Sequence, residues 1–271
     1  MFKRSPFLFS ALVLGYAFLY GPIFSLIIYS FNESRLVTVW AGFSTKWYGE
    51  LLHNDQILSA AWLSIKIAAM NASIATLLGT LTAIVLVRFR RTKMRSALDT
   101  LVAAPLVMPE VIIGLSLLLL FISMERLLGW PDGRGTTTIT IAHATFSMAY
   151  VTVVVRSRLA HMDESLEEAA MDLGAHPFKV FFLITLPIIS PALLAGWLLA
   201  FTLSMDDLIV ASFVSGPGST TLPMVVYSSV RLGVSPEINA LATIMVLIVS
   251  IAVLIAGRVI YLQEKRSQEL R

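Results

Sequence analysis

Three acidic residues lie inside apolar runs of this sequence, where a carboxylate has little water to solvate it. Glu110 follows two prolines, Pro105 and Pro109, and Asp206 and Asp207 are neighbours near the end of a later run. An ionisable residue inside a membrane span is costly, and it is a candidate functional residue by default. We therefore predict that the three acids line the path of a cation. The alternative is that they hydrogen-bond or pack between helices.

A second group of residues, within 163–187, combines helix-capping side chains with helix-breaking ones. Ser165 and Glu168 have the spacing of a capping box, with Asp163 as an alternative N-cap. The helix-breaking residues that follow are Gly174, Pro177 and Pro187. We expect the glycine to end one helix with a positive φ and the first proline to begin a second short helix. The last proline should close the segment, which leaves two small helices joined by a tight turn.

The composition is that of a polytopic membrane protein. Hydrophobic residues make up 57% of the 271 residues, charged residues make up 14%, and the mean hydropathy is +0.81. Soluble domains average about 25% charged residues. Because a span needs roughly 20 apolar residues, the sequence predicts an all-α fold with six transmembrane helices, over residues 8–31, 57–87, 98–123, 138–157, 190–213 and 238–260. The sequence contains no cysteine, which excludes disulfides and cysteine-ligated metals.

Basic residues are distributed unequally between the two ends of these spans. Of the 20 Lys and Arg residues, 14 lie on one side and 5 on the other, and Lys66 lies within the second run. The positive-inside rule therefore predicts that both termini and the segment 163–187 are cytoplasmic. The richer set is Lys3, Arg4, Arg88, Arg90, Arg91, Lys93, Arg95, Arg156, Arg158, Lys179, Arg258, Lys265, Arg266 and Arg271.

The first external loop carries four aromatic residues, Trp40, Phe43, Trp47 and Tyr48. Aromatic side chains at this depth are typical of the belt at a membrane interface. A contact surface for an external partner is the other interpretation.

Two further observations limit the chemistry of this chain. The sequence contains no nucleotide-binding loop of the form GxxxxGK[ST], so that any ATP used must be bound by another chain. His143 lies in the fourth run with no second His, Asp or Glu at metal-ligand spacing nearby. We interpret it as a packing residue and predict no metal site.

The segment 163–187 resembles a known motif. Glu168-Ala169-Ala170, three residues, Gly174, nine residues and then Ile184-x-Leu186-Pro187 match the EAA motif of inner-membrane permeases of type I ABC importers. The wider chain is similar to the putrescine/spermidine permeases of that family, the PotC/PotI type, and is nearest to its putrescine permeases. The stretches that carry this likeness are Gly42-Phe-Ser-x-x-Trp47-Tyr48, Ala104-Pro-Leu-Val-Met-Pro-Glu110, Phe201-Thr-Leu-Ser-Met-Asp-Asp207, Ser215-Gly-Pro-Gly218 and Pro236-Glu-Ile-Asn-Ala240.

The resemblance implies a transport subunit that is not itself an enzyme and that binds no cofactor. It implies a heterodimer with a homologous permease, two cytoplasmic ATP-binding subunits that use ATP and Mg, and a periplasmic polyamine-binding protein, with no nucleic acid. The domains expected are a first helix and external loop over 1–56, a permease core over 57–260 and a cytoplasmic tail over 261–271. The residues expected to couple the chain to the ATPases are Glu168, Ala169, Ala170, Gly174, Ile184, Leu186 and Pro187.

Two other classes of function are alternatives to an ABC permease. An ion-coupled secondary transporter would use the same acids, but it predicts an inverted repeat, which the sequence does not display. An intramembrane aspartyl protease needs two carboxylates from separate spans on one water, whereas Asp206 and Asp207 are neighbours. Within the ABC family, spermidine, ferric iron or another small cation is the alternative cargo.

Overall fold

The computed structural model describes residues 6–36, 39–88, 93–232 and 236–269, and the regular structure in these ranges is helical. This confirms the predicted all-α class. In chain order the helices are α1 (Pro6–Tyr29), α2 (Lys46–Leu52), α3 (Asp55–Arg88), α4 (Lys93–Val107), α5 (Glu110–Leu128), α6 (Thr136–Ala160), α7 (Ser165–Asp172), α8 (Pro177–Val180), α9 (Leu186–Asp206), α10 (Ile209–Val214), α11 (Leu222–Leu232) and α12 (Pro236–Glu269), with a π-helical turn at Phe181–Thr185.

Five helical stretches of the described chain are long and apolar enough to cross a membrane: Phe7–Tyr29, Asp55–Arg88, Glu110–Leu128, Thr136–Ala160 and Pro177–Asp206. The first, second and fourth predicted runs are each a single helix. The sixth run lies within α12, whose first part, Pro236–Ile251, is an apolar helix. Of the basic residues counted above, Lys3, Arg4, Arg90, Arg91 and Arg271 lie outside the described residues.

The third predicted run, 98–123, is two helices and not one. Pro109 has an extended ψ of 134° and separates α4 from α5, so that Glu110 is the first residue of α5. A proline disfavours helical conformation in the residue before it, here Met108. Pro105 lies inside α4 without ending it. Only one of the two prolines therefore breaks the run.

The fifth predicted run, 190–213, is also broken, at its acidic pair. Asp206 is the last residue of α9, and Asp207 has an extended ψ of 122°. The Asp207 carboxylate accepts hydrogen bonds from the backbone N–H groups of Val210 at 3.3 Å and Ala211 at 2.7 Å, at the start of α10. Short acidic side chains compete with helical hydrogen bonding in this way. The run 190–213, predicted to be a single span, is therefore interrupted between its two acids, and only Asp206 belongs to α9.

The segment 163–187 keeps the predicted tight turn. Gly174 follows α7 with φ at +85°, in the left-handed region that glycine favours, and Pro177 is the first residue of α8. The predicted capping box is not formed. Instead the Asp163 carboxylate accepts a hydrogen bond from the Ser165 backbone N–H at 3.0 Å. Hydrogen bonds from the Ser165 hydroxyl and then this N–H lower the pKa of Asp163, so this cap is lost only in acid.

The expectation of a second separate small helix was wrong. From Pro177 to Asp206 the chain is helical without a break, because a π-helical turn at Phe181–Thr185 leads directly into α9. Pro187 lies in the first turn of α9, where its missing N–H costs little. A π-helical turn inserts an extra residue into a helix and is frequent at functional sites. The second helix of the segment is therefore one end of a long span.

Residues 59–225 form one compact unit, whose core surrounds α6. The helices of this core pack closely at Val151 of α6, which lies against two glycines. A Cβ atom at Gly79 of α3 would lie 2.9 Å from the Val151 Cβ, and one at Gly196 of α9 would lie 3.2 Å from the Val151 Cγ1. Small residues of this kind allow membrane helices to approach closely. Asn71 of α3 adds a buried hydrogen bond to the Ala200 carbonyl of α9 at 2.9 Å.

Residues 1–58 and 226–271 form the other unit. In the segment that follows α1 in this unit, Trp47 is only 2% exposed and donates a hydrogen bond to the Asn32 carbonyl at 2.6 Å. Trp40 is 49% exposed and Phe43 is 72% exposed. The predicted aromatic surface therefore excludes Trp47, which is a packing residue of the loop.

We expect Gly79→Val to destabilise the protein by about 1–3 kcal/mol, because added bulk would overpack the contact with Val151. The measurement is thermal unfolding of the purified protein in detergent. Gly15→Val is the matched control, since a Cβ at Gly15 in α1 meets no atom within 4 Å. Equal unfolding temperatures for the two variants would contradict the assigned packing.

Candidate functional site

A cavity of about 410 Å³ brings together the three acids singled out from the sequence. It lies within the unit 59–225 and is enclosed by parts of α4, α5, α6, α9 and α10. The breaks at Pro109 and Asp207 open onto it, which explains how residues almost a hundred positions apart converge. The lining residues are Pro105, Leu106, Met108, Glu110, Ile113, Phe146, Tyr150, Leu203, Asp206, Asp207, Leu208, Ile209 and Val210.

Asp207 lines the cavity, but its carboxylate is already hydrogen-bonded to groups of the protein. It is 8% exposed, and besides its two bonds to the start of α10 it accepts from the His143 Nε2 at 3.0 Å. The other ring nitrogen, Nδ1, lies 2.7 Å from the Ser204 hydroxyl of α9. The buried carboxylate is thereby held by one side chain and two backbone amides. Asp207 fits the packing alternative stated for the acids, whereas Asp206 is exposed.

His143 is a residue whose role the sequence could not show. The interpretation of His143 as a packing residue agrees with the structure, in which it is 1% exposed and hydrogen-bonded at both ring nitrogens. Its partners come from α9 and from the break after it, 61 and 64 residues further along the chain. No local spacing could have indicated this. Among the described residues, no group of three or more His, Asp or Glu side chains could hold a metal ion.

The ends of the broken helices give the cavity its electrostatics. Glu110 lies in the first turn of α5, where the positive end of the helix dipole offsets its charge. Asp207 is offset in the same way by the start of α10. Asp206 lies at the opposite kind of end, in the last turn of α9, where unpaired carbonyl oxygens add negative potential. Of the three acids, Asp206 would therefore be stabilised most by a bound cation.

The remaining wall of the cavity is largely apolar and includes two aromatic rings. Phe146 and Tyr150 are four residues apart on α6 and therefore lie on one face of that helix. The face of an aromatic ring attracts a cation, most strongly where water is excluded. The cavity thus combines carboxylates, a helix C-terminus and aromatic faces, all of which favour positive charge.

The predicted coupling residues lie together at the other end of α9. Glu168 and Ala169 are exposed on α7, and Ala170 is half-buried. Ile184 and Leu186 are half-buried at the junction of the π-helical turn and α9, next to exposed Pro187. Large apolar side chains nearby are exposed too, among them Leu173 at 89% and Phe178 at 73%.

Glu167, the neighbour of the motif glutamate, has contacts that no pattern in the sequence indicated. Its carboxylate accepts from the Arg88 guanidinium at the end of α3 and from the Thr185 hydroxyl in the π-helical turn. Arg88 also forms an ion pair with Glu164 at 3.6 Å. Arg88 and Glu167 line a cavity of about 250 Å³ beside this contact. Two consecutive glutamates on one helix therefore differ in role, and only the tertiary structure separates them.

The fold is shared with chains of solved ABC transporters. It superposes with a TM-score of 0.69 on a chain of a bacterial ABC transporter involved in alginate import, at 19% identity, covering 96% of this chain and 98% of that one. A chain of the MetNI methionine ABC transporter matches with a TM-score of 0.60 and 15% identity, covering 75% of this chain and 94% of that one.

The chain belongs to the family of binding-protein-dependent transport system inner membrane components, whose model matches residues 75–269. It is 59% identical over 263 residues to the putrescine transport system permease protein PotI of Escherichia coli K12, covering 97% of this chain and 94% of PotI. It is 44% identical over 245 residues to the spermidine/putrescine permease PotC of the same strain, covering 90% of each. The resemblance stated from the sequence is confirmed, and the chain is a multi-pass inner-membrane permease.

We expect Asp207→Ala to destabilise the protein by about 2–4 kcal/mol, since it leaves the Nε2 of His143 and two helix N–H groups unpaired in the interior. Asp206→Ala, one residue away and exposed, should change the unfolding temperature little. Thermal unfolding in detergent measures both. Loss of stability in Asp206→Ala, or none in Asp207→Ala, would reverse the roles assigned to the two acids.

Proposed function

We propose that this chain is the membrane-spanning permease subunit of an ATP-driven importer that carries putrescine, with spermidine as the alternative cargo. It works as a heterodimer with a homologous permease. Two ATP-binding subunits dock on its cytoplasmic face, and a periplasmic binding protein delivers the polyamine. The chain crosses the membrane six times with both termini in the cytoplasm.

The convergence of Glu110 and Asp206 on one cavity carries the proposal for a cationic cargo. Putrescine carries a positive charge at each end, and two exposed carboxylates on separate helices offer one partner to each. The relation to proteins named as putrescine permeases supports the choice of cargo. The carboxylates lie among apolar side chains, where an ionic interaction is stronger than in water.

The same arrangement favours passage over tight retention. Asp206 lies at the break between α9 and α10, and Glu110 at the break between α4 and α5. A movement of either helix pair changes the distance between the two carboxylates. A path must bind its cargo strongly enough to admit it and weakly enough to release it. Separating the acids in one state of the cycle would release the diamine.

The exposed surface of α7 and α8 supports docking of the ATPases. Glu168 is exposed on α7, and the apolar side chains of Leu173, just after α7, and Phe178, in α8, are exposed nearby. Apolar anchors beside a charge are typical of a protein interface. ATP and Mg are bound by the partner subunits, and their closure moves this helix pair. This chain then supplies the path and the moving helices.

We expect Asp206→Asn and Glu110→Gln each to lower the uptake of labelled putrescine by the complete transporter roughly tenfold, which corresponds to losing about 1.4 kcal/mol of interaction with the cation. Glu125→Gln is the matched control, because Glu125 is exposed on the same helix as Glu110 but does not line the cavity. Normal uptake by both cavity variants at normal expression would remove these acids from the path.

A second prediction concerns assembly. Gly174→Val should reduce the recovery of ATPase subunits with the purified permease, because a β-branched residue disfavours φ at +85° and would distort the turn between α7 and α8. Gly129→Val imposes similar strain at φ of +67° after α5, away from that turn. Copurification measures both variants, and equal recovery would argue against docking at α7 and α8.

A further inference from the structure

Helix α7 is fastened to the rest of the permease core by polar side chains more than by apolar packing. None of its eight residues is buried. The cavity of about 250 Å³ lies beside it, lined by Met171 of α7 together with residues of α3, α6, α8 and the π-helical turn. Where a void lies between two surfaces, the van der Waals contacts that would otherwise hold them together are lost. The position of α7 therefore depends strongly on the few bonds that cross to its neighbours.

Glu167 makes the central bonds of this kind. Its side chain is 14% exposed, and its two carboxylate oxygens have different partners. One oxygen accepts from Arg88, the last residue of α3, and the other accepts from the Thr185 hydroxyl. Thr185 is 4% exposed and is the last residue before α9. A single carboxylate thus joins α7 to the ends of two long helices.

Those two helices lead away from α7 to the rest of the permease core. α9 continues from Thr185 to Asp206 without a break, a length of about 30 Å at 1.5 Å per residue. Its far end carries Asp206 at the cavity, and Val151 of α6 packs against both Gly196 of α9 and Gly79 of α3. A displacement of α7 applied through Thr185 would therefore act on a continuous helix that ends at Asp206.

We propose that Glu167 is the positioning residue that transmits movement of the coupling helix to α3 and α9. This inference rests on the proposed function as a permease driven by separate ATPases. The two neighbouring glutamates have different roles in this proposal. Glu168 faces outward toward the docked subunit, and Glu167 faces inward toward the membrane helices. Docking and transmission are then separate properties of consecutive residues.

The test compares Glu167→Ala with Glu168→Ala in the complete transporter reconstituted in proteoliposomes. Three readouts are measured: recovery of the ATPase subunits, ATP hydrolysis stimulated by the loaded binding protein, and putrescine uptake. We expect Glu167→Ala to retain the ATPase subunits and basal hydrolysis but to lose uptake roughly tenfold per ATP hydrolysed, a coupling change of the usual size. Glu168→Ala should instead reduce the recovery of the ATPase subunits.

Thr185→Val is the second variant, because it removes the hydroxyl and preserves the shape of the side chain. We expect it to lower uptake per ATP in the same direction as Glu167→Ala. Glu167→Gln retains an acceptor for Thr185 and should recover part of the uptake. Unchanged uptake per ATP in both Glu167→Ala and Thr185→Val would overturn the inference, as would loss of the ATPase subunits from Glu167→Ala. If the unaltered permease retains no ATPase subunits, the proposed function fails instead.

Discussion

A carboxylate or a backbone amide left unpaired inside a membrane is costly, and the break between α9 and α10 is where this chain meets that constraint most directly. The side chain of Asp207 satisfies this need for pairing. Its carboxylate pairs the free amides at the start of α10 and also accepts from buried His143. With these bonds in place the chain can leave helical conformation between α9 and α10. The cavity and its exposed acid, Asp206, exist because this break is satisfied.

The long helix that begins at Pro177 links the two ends of the permease core. One end lies at the coupling segment, where Thr185 is bonded to Glu167, and the other is the C-terminus of α9 at the cavity. In the middle of this helix, Gly196 packs closely against the side chain of Val151 in α6. Apolar packing and small residues hold the middle of the helix, and polar side chains hold its ends. This arrangement suits a part that moves as a unit.

Much of the fold was predictable because hydropathy and turn chemistry are local properties. The helical class, the single helices of the first, second and fourth runs, and the glycine turn at Gly174 follow from residue types within a few positions. The division of the third and fifth runs was missed, although Pro109 and Asp207 caused it. An apolar run shows that a segment enters a membrane, but it does not show whether the segment stays helical. That depends on partners which can satisfy the freed backbone.

The amino-acid sequence by itself indicated a membrane permease, placed Glu110, Asp206 and Asp207 in apolar runs, and placed the EAA motif in residues 163–187. These conclusions need only composition, spacing and a motif. The tertiary structure alone decided which acid of the Asp206–Asp207 pair is buried and bonded and which is exposed, and which of Glu167 and Glu168 bonds to the neighbouring helices. Neighbouring residues of the same type are equivalent in a sequence. They differ once α6, α3 and the π-helical turn supply His143, Arg88 and Thr185 to one member of each pair.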